Sequence, residues 1–273
     1  MNLVLSNEGL KSDSSFIETP INTDQSVYEV IRIIDGVALF LEDHFARLKR
    51  SMQIKGLIFQ MDFLEFKQNI GELIRQNKRM EGNVKFVFTT TNGKIGWLFS
   101  FIPHNYPTNA DYLDGVLTDL LFAERLNPNA KVVQPEIRDK ANQMIADRKL
   151  YEVLLVDRDG MLTEGSRSNV FFVKDEVFYT APSSAVLEGI TRQQVLVCLK
   201  ELGYTIVEET VSAKEIEQFV AIFLTGTSPK ILPIRSIGEK VFDVQNPTVA
   251  GLIESYDKMI REYIRNEIIL KEK

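Results

Sequence analysis

One acidic residue in the second half of the chain has the setting of a functional carboxylate. Glu164 comes at the end of one predicted strand and is followed by a small polar turn, which leads into the apolar run Val170 to Val173. A carboxylate at a strand end is held on a rigid element, where sites are commonly built. Most such residues are solvated turn acids, so Glu164 alone identifies no reaction.

Two short segments could bind an anion. Gly189, Ile190 and Thr191 open a predicted helix, whose first N–H groups lack intrahelical acceptors and lie at the positive end of the helix dipole. Thr227 and Ser228 lie in a small-residue turn, where hydroxyl groups add donors. The alternatives are simple helix capping by Thr191 and an ordinary turn at Thr227 and Ser228.

A basic side chain, Arg47, lies on a predicted helix whose other residues are mostly apolar. A surface salt bridge is the ordinary interpretation, and a bidentate contact with a phosphate is the sharper one. His44, on the same helix, is assigned to capping or stabilising it. The residues by themselves leave both interpretations of Arg47 open.

Composition limits the class of protein. With 273 residues, 44% hydrophobic and 26% charged, the chain can bury a sizeable core as one domain or two. A formal charge of -6 gives no bulk attraction for nucleic acid or anionic membranes. No apolar run reaches the length of a membrane span, so a cytoplasmic location is expected. One cysteine excludes an internal disulfide, and two distant histidines leave little for a metal site.

The first half of the chain reads as an α+β unit of residues 1–105, followed by a linker of residues 106–115. Asp35-Gly36 and Asn92-Gly93 are strong hairpin turn signals. Alternation places Tyr28, Val30, Arg32 and Ile34 on one face of the first hairpin strand. The predicted elements are the strands 27–34, 37–41, 84–91 and 95–102 and the helices 44–51 and 62–77.

The second half, residues 116–273, is richer in strands. Several short strands at close spacing suggest a barrel-like sheet. The predicted strands are 116–124, 151–156, 161–163, 169–173, 177–179, 205–210 and 220–225. One predicted helix begins near Pro135, and three others span 192–202, 212–218 and 249–270.

Five sequence blocks together resemble a known family. They are Tyr28-Glu-Val-Ile-Arg32, His44-Phe-Ala-Arg-Leu48, the block from Asp159 to Phe171, Leu187-Glu-Gly-Ile-Thr-Arg192, and Phe223-Leu-Thr-Gly-Thr-Ser228. In this order they are similar to the fold-type IV pyridoxal-phosphate enzymes, which include branched-chain and D-amino-acid aminotransferases and aminodeoxychorismate lyases. The resemblance implies an α+β fold of two domains, with a smaller N-terminal α/β sandwich and a larger C-terminal pseudo-barrel with flanking helices.

The resemblance also assigns roles around pyridoxal 5'-phosphate. It implies that Glu164 binds the ring nitrogen, which must stay protonated for the cofactor to act as an electron sink. The phosphate group is expected on Gly189, Ile190 and Thr191, with Arg47, Thr227 and Ser228. Leu187 is expected to pack on the ring, and Ser168 and Asn169 to orient Glu164 or the cofactor.

The family's spacing selects the Schiff-base lysine. In the family this lysine lies about 33 residues before the glutamate, and Lys131 is 33 residues before Glu164. Lys140 and Lys149 also precede Glu164, and Lys140 falls in a predicted polar helix, where a solvated lysine is expected. Lys131 is therefore the expected catalytic residue, which also moves the proton from the substrate.

Substrate recognition departs from the family pattern. Thr90 or Thr91 stands where D-amino-acid enzymes carry an arginine for the substrate carboxylate, so Lys85 or Arg32 is expected to substitute, with Tyr28 as a further substrate-binding residue. An aminotransferase for branched-chain or D-amino acids is the expected function, and a homodimer is the expected assembly. The alternatives are a 4-amino-4-deoxychorismate lyase, which releases pyruvate and 4-aminobenzoate, and a non-catalytic family member.

Overall fold

The computed structural model describes residues 2–12, 26–91, 94–132 and 134–271. The chain divides into two compact units. Unit one comprises the chain up to Asn105, the four residues Ala130–Val133 and the chain from Ile260 onward, and unit two comprises Tyr106–Asn129 and Gln134–Met259. Lys131 therefore belongs to unit one, although the chain on both sides of its short segment belongs to unit two.

An antiparallel sheet and two helices form most of unit one. Its strands are β1 (Leu3–Ser6), β2 (Gly9–Ser12), β3 (Ser26–Ile34), β4 (Val37–Ala38), β5 (Gly82–Thr91) and β6 (Lys94–Ile102). They lie in the order β2-β1-β6-β5-β3-β4. Helices α1 (Leu41–Ile54) and α2 (Phe63–Asn77) supply further core residues.

Strand β3 shows why this sheet forms where it does. Its burial alternates with period two, and Val27, Ile31 and Ile33 are fully buried. Asp35 and Gly36 both have left-handed backbone angles, which fits the predicted two-residue hairpin. The second strand is shorter than predicted because α1 already begins at Leu41. The predicted turn at Asn92-Gly93 lies outside the described residues.

Unit two contains a larger, mixed sheet. Its strands are β7 (Val116–Phe122), β8 (Glu152–Val156), β9 (Met161–Gly165), β10 (Asn169–Lys174), β11 (Val177–Thr180), β12 (Thr205–Glu208), β13 (Val211–Ser212), β14 (Ala221–Gly226), β15 (Lys230–Ile237) and β16 (Lys240–Val241). They lie in the order β12-β11-β10-β14-β15-β7-β8-β9-β13, and β16 pairs with β15. The helices of the second half are α3 (Asn109–Asp114), α4 (Pro135–Arg148), α5 (Ile190–Glu201) and α6 (Pro247–Lys271).

After residue 105 the structure differs from the sequence prediction at three places. The proline-bearing linker contains helix α3, which Thr108 and Asp111 begin with a capping box. The predicted helix 212–218 is wrong in its first part, because Val211 and Ser212 pair with β9 and only a 3-10 turn, Ile216–Gln218, follows. Strand β15 was not predicted, and Pro233 in its middle explains why. In the part of the chain that is described, no helix is long and apolar enough to cross a membrane.

Candidate functional site

The Glu164 carboxylate is buried and held by three donors in unit two. Its side chain is 3% exposed. Arg125 Nη1 donates to Oε1 over 3.0 Å, the Leu187 N–H donates to Oε2 over 3.2 Å, and Asn169 Nδ2 lies 3.5 Å from Oε2. Strand β9 pairs irregularly with β8 just before Gly165, and such a bulge re-aims a side chain. Glu164 is therefore a fixed carboxylate and not a solvated turn acid.

Asn169 connects Glu164 to the start of α5. Besides its contact with Glu164, Nδ2 donates to the Leu187 carbonyl over 2.9 Å. A Cβ on Gly189 would lie only 2.2 Å from Asn169 Oδ1, so the chain approaches Asn169 at a distance that glycine allows. Asn169 thus keeps the residues before α5 next to the Glu164 carboxylate.

The first turn of α5 has backbone N–H groups that no side chain caps. Gly189 is the N-cap residue and provides no side-chain cap, and the first turn contains no acidic residue. Thr191 is the second residue of the helix, so the alternative that it caps the helix is wrong. The N–H groups of Ile190 and Thr191 are therefore available to an anion, and the helix dipole favours a negative charge there.

A buried hydroxyl group lies on the strand that leads to the Thr227–Ser228 turn. Thr225 is 1% exposed and pairs with Asn169 across β10 and β14. Its Oγ1 is buried and has no hydrogen-bond partner among the described residues. A buried polar atom of this kind calls for an explanation, and a bound ligand is one. The chemistry of this group of donors therefore fits a cofactor with a phosphate and a ring nitrogen.

Ser168 lies in the turn after Glu164, where its hydroxyl group binds a second buried acid. Its hydroxyl donates to Glu152 Oε2 over 3.0 Å, and the residue is 8% exposed. Ser168 therefore supports the turn after Glu164, and its predicted direct contact with the cofactor stays a prediction. Leu187 is buried, and its backbone binds both Glu164 and Asn169.

Unit one contains a buried cluster of Glu29, His44 and Arg47. Arg47 Nε and Nη2 donate to Glu29 over 2.8 Å and 2.6 Å, and His44 Nδ1 lies 2.7 Å from Glu29 Oε2. Arg47 is 4% exposed and Glu29 is fully buried. The ion pair of Arg47 is therefore buried and not the surface salt bridge of the ordinary interpretation. Phe40, not His44, is the N-cap residue of α1.

Burial and charge set the protonation of this cluster. Burial raises the pKa of Glu29, but the charge and hydrogen bonds of Arg47, together with those of His44, outweigh burial and lower the pKa to about 2. Burial lowers the pKa of His44, although its hydrogen bond to Glu29 opposes this. At neutral pH Glu29 is ionised and His44 is neutral, so His44 Nδ1 carries the proton that it donates to Glu29.

Lys131 is fixed through its backbone within unit one. Its N–H donates to Ser51 Oγ over 3.2 Å, and its carbonyl accepts the Tyr28 N–H over 3.2 Å. Lys131 Nζ lies 4.9 Å from the centroid of the Tyr28 ring. Lys131 is half-buried, whereas Lys140 and Lys149 are exposed. This difference in exposure distinguishes Lys131 from the other two lysines, and its role as the Schiff-base lysine stays a prediction.

The predicted substrate residues lie on neighbouring strands of the same sheet. Strand register pairs Val30 with Lys85, so Lys85 shares a face with Tyr28 and Arg32. Lys85 Nζ lies 5.5 Å from the centroid of the Tyr28 ring. This face therefore carries the positive charges of Arg32 and Lys85, which suits a substrate with a carboxylate group.

Four residues at these positions were not singled out from the sequence. Glu29 could have been found, because alternation places this acidic residue among the buried side chains of β3. Arg125, Glu152 and Thr225 carry no local signal. Arg125, for example, meets Glu164 across 39 residues of sequence.

Comparison with known proteins assigns the family. Residues 26–237 match the family described as amino-transferase class IV. The chain belongs to the class IV aminotransferase family. The family and the α+β fold class expected from the sequence are confirmed, and with them a pyridoxal-phosphate-dependent enzyme. The roles of individual residues stay predictions.

Two class IV aminotransferases and one related structure illustrate the similarity. A D-alanine aminotransferase of Bacillus licheniformis is 30% identical over 77% of this chain and 78% of its own length. A crystal structure of a branched-chain aminotransferase of Thermoproteus uzoniensis with norvaline has a TM-score of 0.84 and 23% identity, covering 95% of this chain and 94% of that one. A candidate 4-amino-4-deoxychorismate lyase of Legionella pneumophila has a TM-score of 0.78 and 21% identity, covering 86% and 91%.

Proposed function

We propose that the protein transfers the amino group of an amino acid of the branched-chain or D-amino-acid type to a keto acid. Family membership supports an aminotransferase, and the 30% identical D-alanine aminotransferase supports an amino acid substrate of this kind. The observation that carries the proposal is the buried Glu164 carboxylate, which binds the Leu187 N–H two residues before Gly189, the N-cap residue of α5. A carboxylate suited to a pyridinium nitrogen thus lies close in space to a helix start suited to a phosphate.

Different residues would bind different parts of pyridoxal phosphate. When bound, the cofactor supplies an electron sink that stabilises the negative charge left by proton removal. Glu164 would hold the ring nitrogen in its protonated form, and Ile190 and Thr191 would donate backbone N–H groups to the phosphate. Arg47, Thr227 and Ser228 are proposed as further phosphate donors, with Gly189 allowing close approach and Leu187 packing on the ring.

Lys131 has two tasks in this proposal. Its amine would hold the cofactor through the aldehyde group, and when free it would take the proton from the substrate Cα and carry it. The Tyr28 ring beside Nζ limits the positions that the side chain can adopt. Lys85 and Arg32 would attract the substrate carboxylate, and Tyr28 would border the substrate.

A panel of L- and D-amino acids tests the function without knowledge of the acceptor. The purified protein is loaded with pyridoxal phosphate, each amino acid is added, and the conversion of the cofactor to its amine form is followed by absorbance. We expect conversion by a subset of branched-chain or D-amino acids and recovery on adding a keto acid. No conversion by any of them, with release of pyruvate and 4-aminobenzoate from aminodeoxychorismate, would identify a lyase instead.

A homodimer in the cytoplasm is part of the same proposal. Family resemblance supports it, and sedimentation of the loaded protein tests the assembly. A single monomeric species at micromolar concentration would contradict the dimer.

A further inference from the structure

Glu152 is a buried acid that the proposed reaction does not use. It is the first residue of β8 and is 4% exposed. Its carboxylate accepts hydrogen bonds from Ser166 Oγ (2.7 Å), Ser168 Oγ (3.0 Å), Arg167 N–H (3.0 Å) and Val153 N–H (2.9 Å). Within the described residues it has no ion pair. A buried carboxylate is costly unless donors surround it, so these four hydrogen bonds define its position.

Three of these donors come from one short turn, Gly165 to Ser168. The turn is closed by a hydrogen bond from the Gly165 N–H to the Ser168 carbonyl over 2.7 Å and joined to β8 by one from the Ser166 N–H to the Val153 carbonyl over 3.0 Å. A Cβ on Gly165 would lie 2.1 Å from Ser168 Oγ and 3.2 Å from Glu152 Oε2. The turn is therefore wrapped around the Glu152 carboxylate.

This turn separates two residues of the candidate site. Glu164 immediately precedes it and Asn169 immediately follows it. Glu164 also lies in the irregular stretch of β9, where Leu154 pairs with Gly165 and Val156 with Leu162. Regular pairing does not fix the backbone of such a stretch, so the hydrogen bonds from the turn to Glu152 add a constraint to those that Glu164 itself makes.

We propose that Glu152 is a positioning residue: it acts through the Gly165–Ser168 turn to hold Glu164 against the ring nitrogen of pyridoxal phosphate. The inference rests on the proposed function. A glutamine at this position keeps the size of the side chain but replaces one acceptor oxygen with a donor, so the turn must rearrange. A purely structural role for Glu152 would lower the stability of the protein without singling out the contact at the ring nitrogen.

Two ligands separate these possibilities. Pyridoxal phosphate and its analogue with a carbon in place of the ring nitrogen are titrated against the full chain freed of cofactor, and the dissociation constants are compared. For Glu152→Gln we expect pyridoxal phosphate to bind about tenfold more weakly, as for loss of one charge-assisted hydrogen bond. Binding of the carbon analogue should change less than about twofold.

The matched control is Asp157→Asn. Asp157 Oδ1 accepts the N–H groups of Asp159 and Met161 in the turn at the other end of the same hairpin. It should leave both dissociation constants unchanged. Ser168→Ala, which removes one donor to Glu152, provides a milder variant and should weaken pyridoxal phosphate about threefold.

A double variant tests whether Glu152 affects cofactor binding through Glu164. In Glu164→Gln, adding Glu152→Gln should cause no further loss of affinity, because both act on the same contact. Equal losses for the two ligands in Glu152→Gln and Ser168→Ala, or additive losses in the double variant, would overturn the proposal. A wild-type protein that binds the two ligands equally would refute the Glu164 contact and this inference with it, whereas one that binds neither would refute the proposed function.

Discussion

Arg47 and Glu29 form a buried two-point ion pair in which Arg47 Nε and Nη2 each donate to a different carboxylate oxygen. The pair joins α1 to β3, and His44 adds a third hydrogen bond to the same carboxylate. An arginine held at two points presents its remaining edge in a defined direction. The pair therefore fixes Arg47 within unit one, and its contact with the phosphate stays a prediction.

Glu29→Gln should lower the stability of the protein in a pH-dependent way. The pKa of Glu29 is lowered to about 2 in the folded state, so its stabilising contribution is complete above the unfolded value of about 4.3 and is lost as the pH falls toward 2. A shift of this size corresponds to roughly 3 kcal/mol at neutral pH. Urea denaturation of both proteins from pH 7 to pH 3 measures the difference.

The test is the direction in which the stability difference between the two proteins changes with pH. The gap in unfolding free energy between wild type and Glu29→Gln should narrow as the pH falls from about 4.3 toward 3. The lowered pKa of His44 makes the wild-type protein less stable below about pH 6.5, because the unfolded chain binds protons first, but Glu29 opposes this lowering, so His44 does not narrow the gap. A gap that stays constant across this range would show that Glu29 is not held as a low-pKa carboxylate.

Arg47→Lys should weaken binding of the cofactor's phosphate. Lysine keeps the charge but cannot bind Glu29 and a phosphate through a planar fork. We expect the affinity for pyridoxal phosphate to fall about tenfold and that for pyridoxal, which lacks the phosphate, to change little. Titration of the cofactor-free variant with both compounds gives the two values, and equal losses would argue against a phosphate contact.

Lys131→Ala should abolish the covalent attachment of the cofactor. We expect the visible absorption band of the loaded protein to disappear and the transamination rate to fall by on the order of 10²–10⁴-fold, the usual contribution of a positioned acid–base group. Lys140→Ala is the matched control, because Lys140 is exposed on α4. If the band survives in Lys131→Ala and is lost in Lys140→Ala, the assignment from spacing is wrong.

The sequence predicts best where the cause is local. Asp35-Gly36 needs only two residues with left-handed backbone angles to define its hairpin, and Asp62 accepts the Glu65 N–H to begin α2 close to the predicted position. The family blocks likewise name Glu164 and Asn169, which the structure brings within 3.5 Å of each other.

Side-chain partners far apart in the chain were not predicted. Arg125 reaches Glu164 across 39 residues and Glu152 reaches Ser168 across 16, and no periodic pattern records such pairs. Strand β15 was missed for a different reason, since Pro233 argues against a strand until both neighbouring strands are known. Contacts between distant parts of the chain determine both the side-chain pairs and strand β15.

Gly189→Ala tests the close approach between the start of α5 and Asn169. The added methyl group would lie 2.2 Å from Asn169 Oδ1, and rotation of Asn169 away from it would break the 2.9 Å hydrogen bond to the Leu187 carbonyl. We expect a loss of about 1–3 kcal/mol in unfolding free energy, as for overpacking, and weaker binding of pyridoxal phosphate.

Gly251→Ala is the matched control, because Gly251 lies in α6 with nothing within 4 Å of its added Cβ. That variant should gain up to about 1 kcal/mol from helix propensity and bind the cofactor normally. If both variants behave alike in urea denaturation and in cofactor titration, the tight packing of Gly189 against Asn169 does not exist in solution.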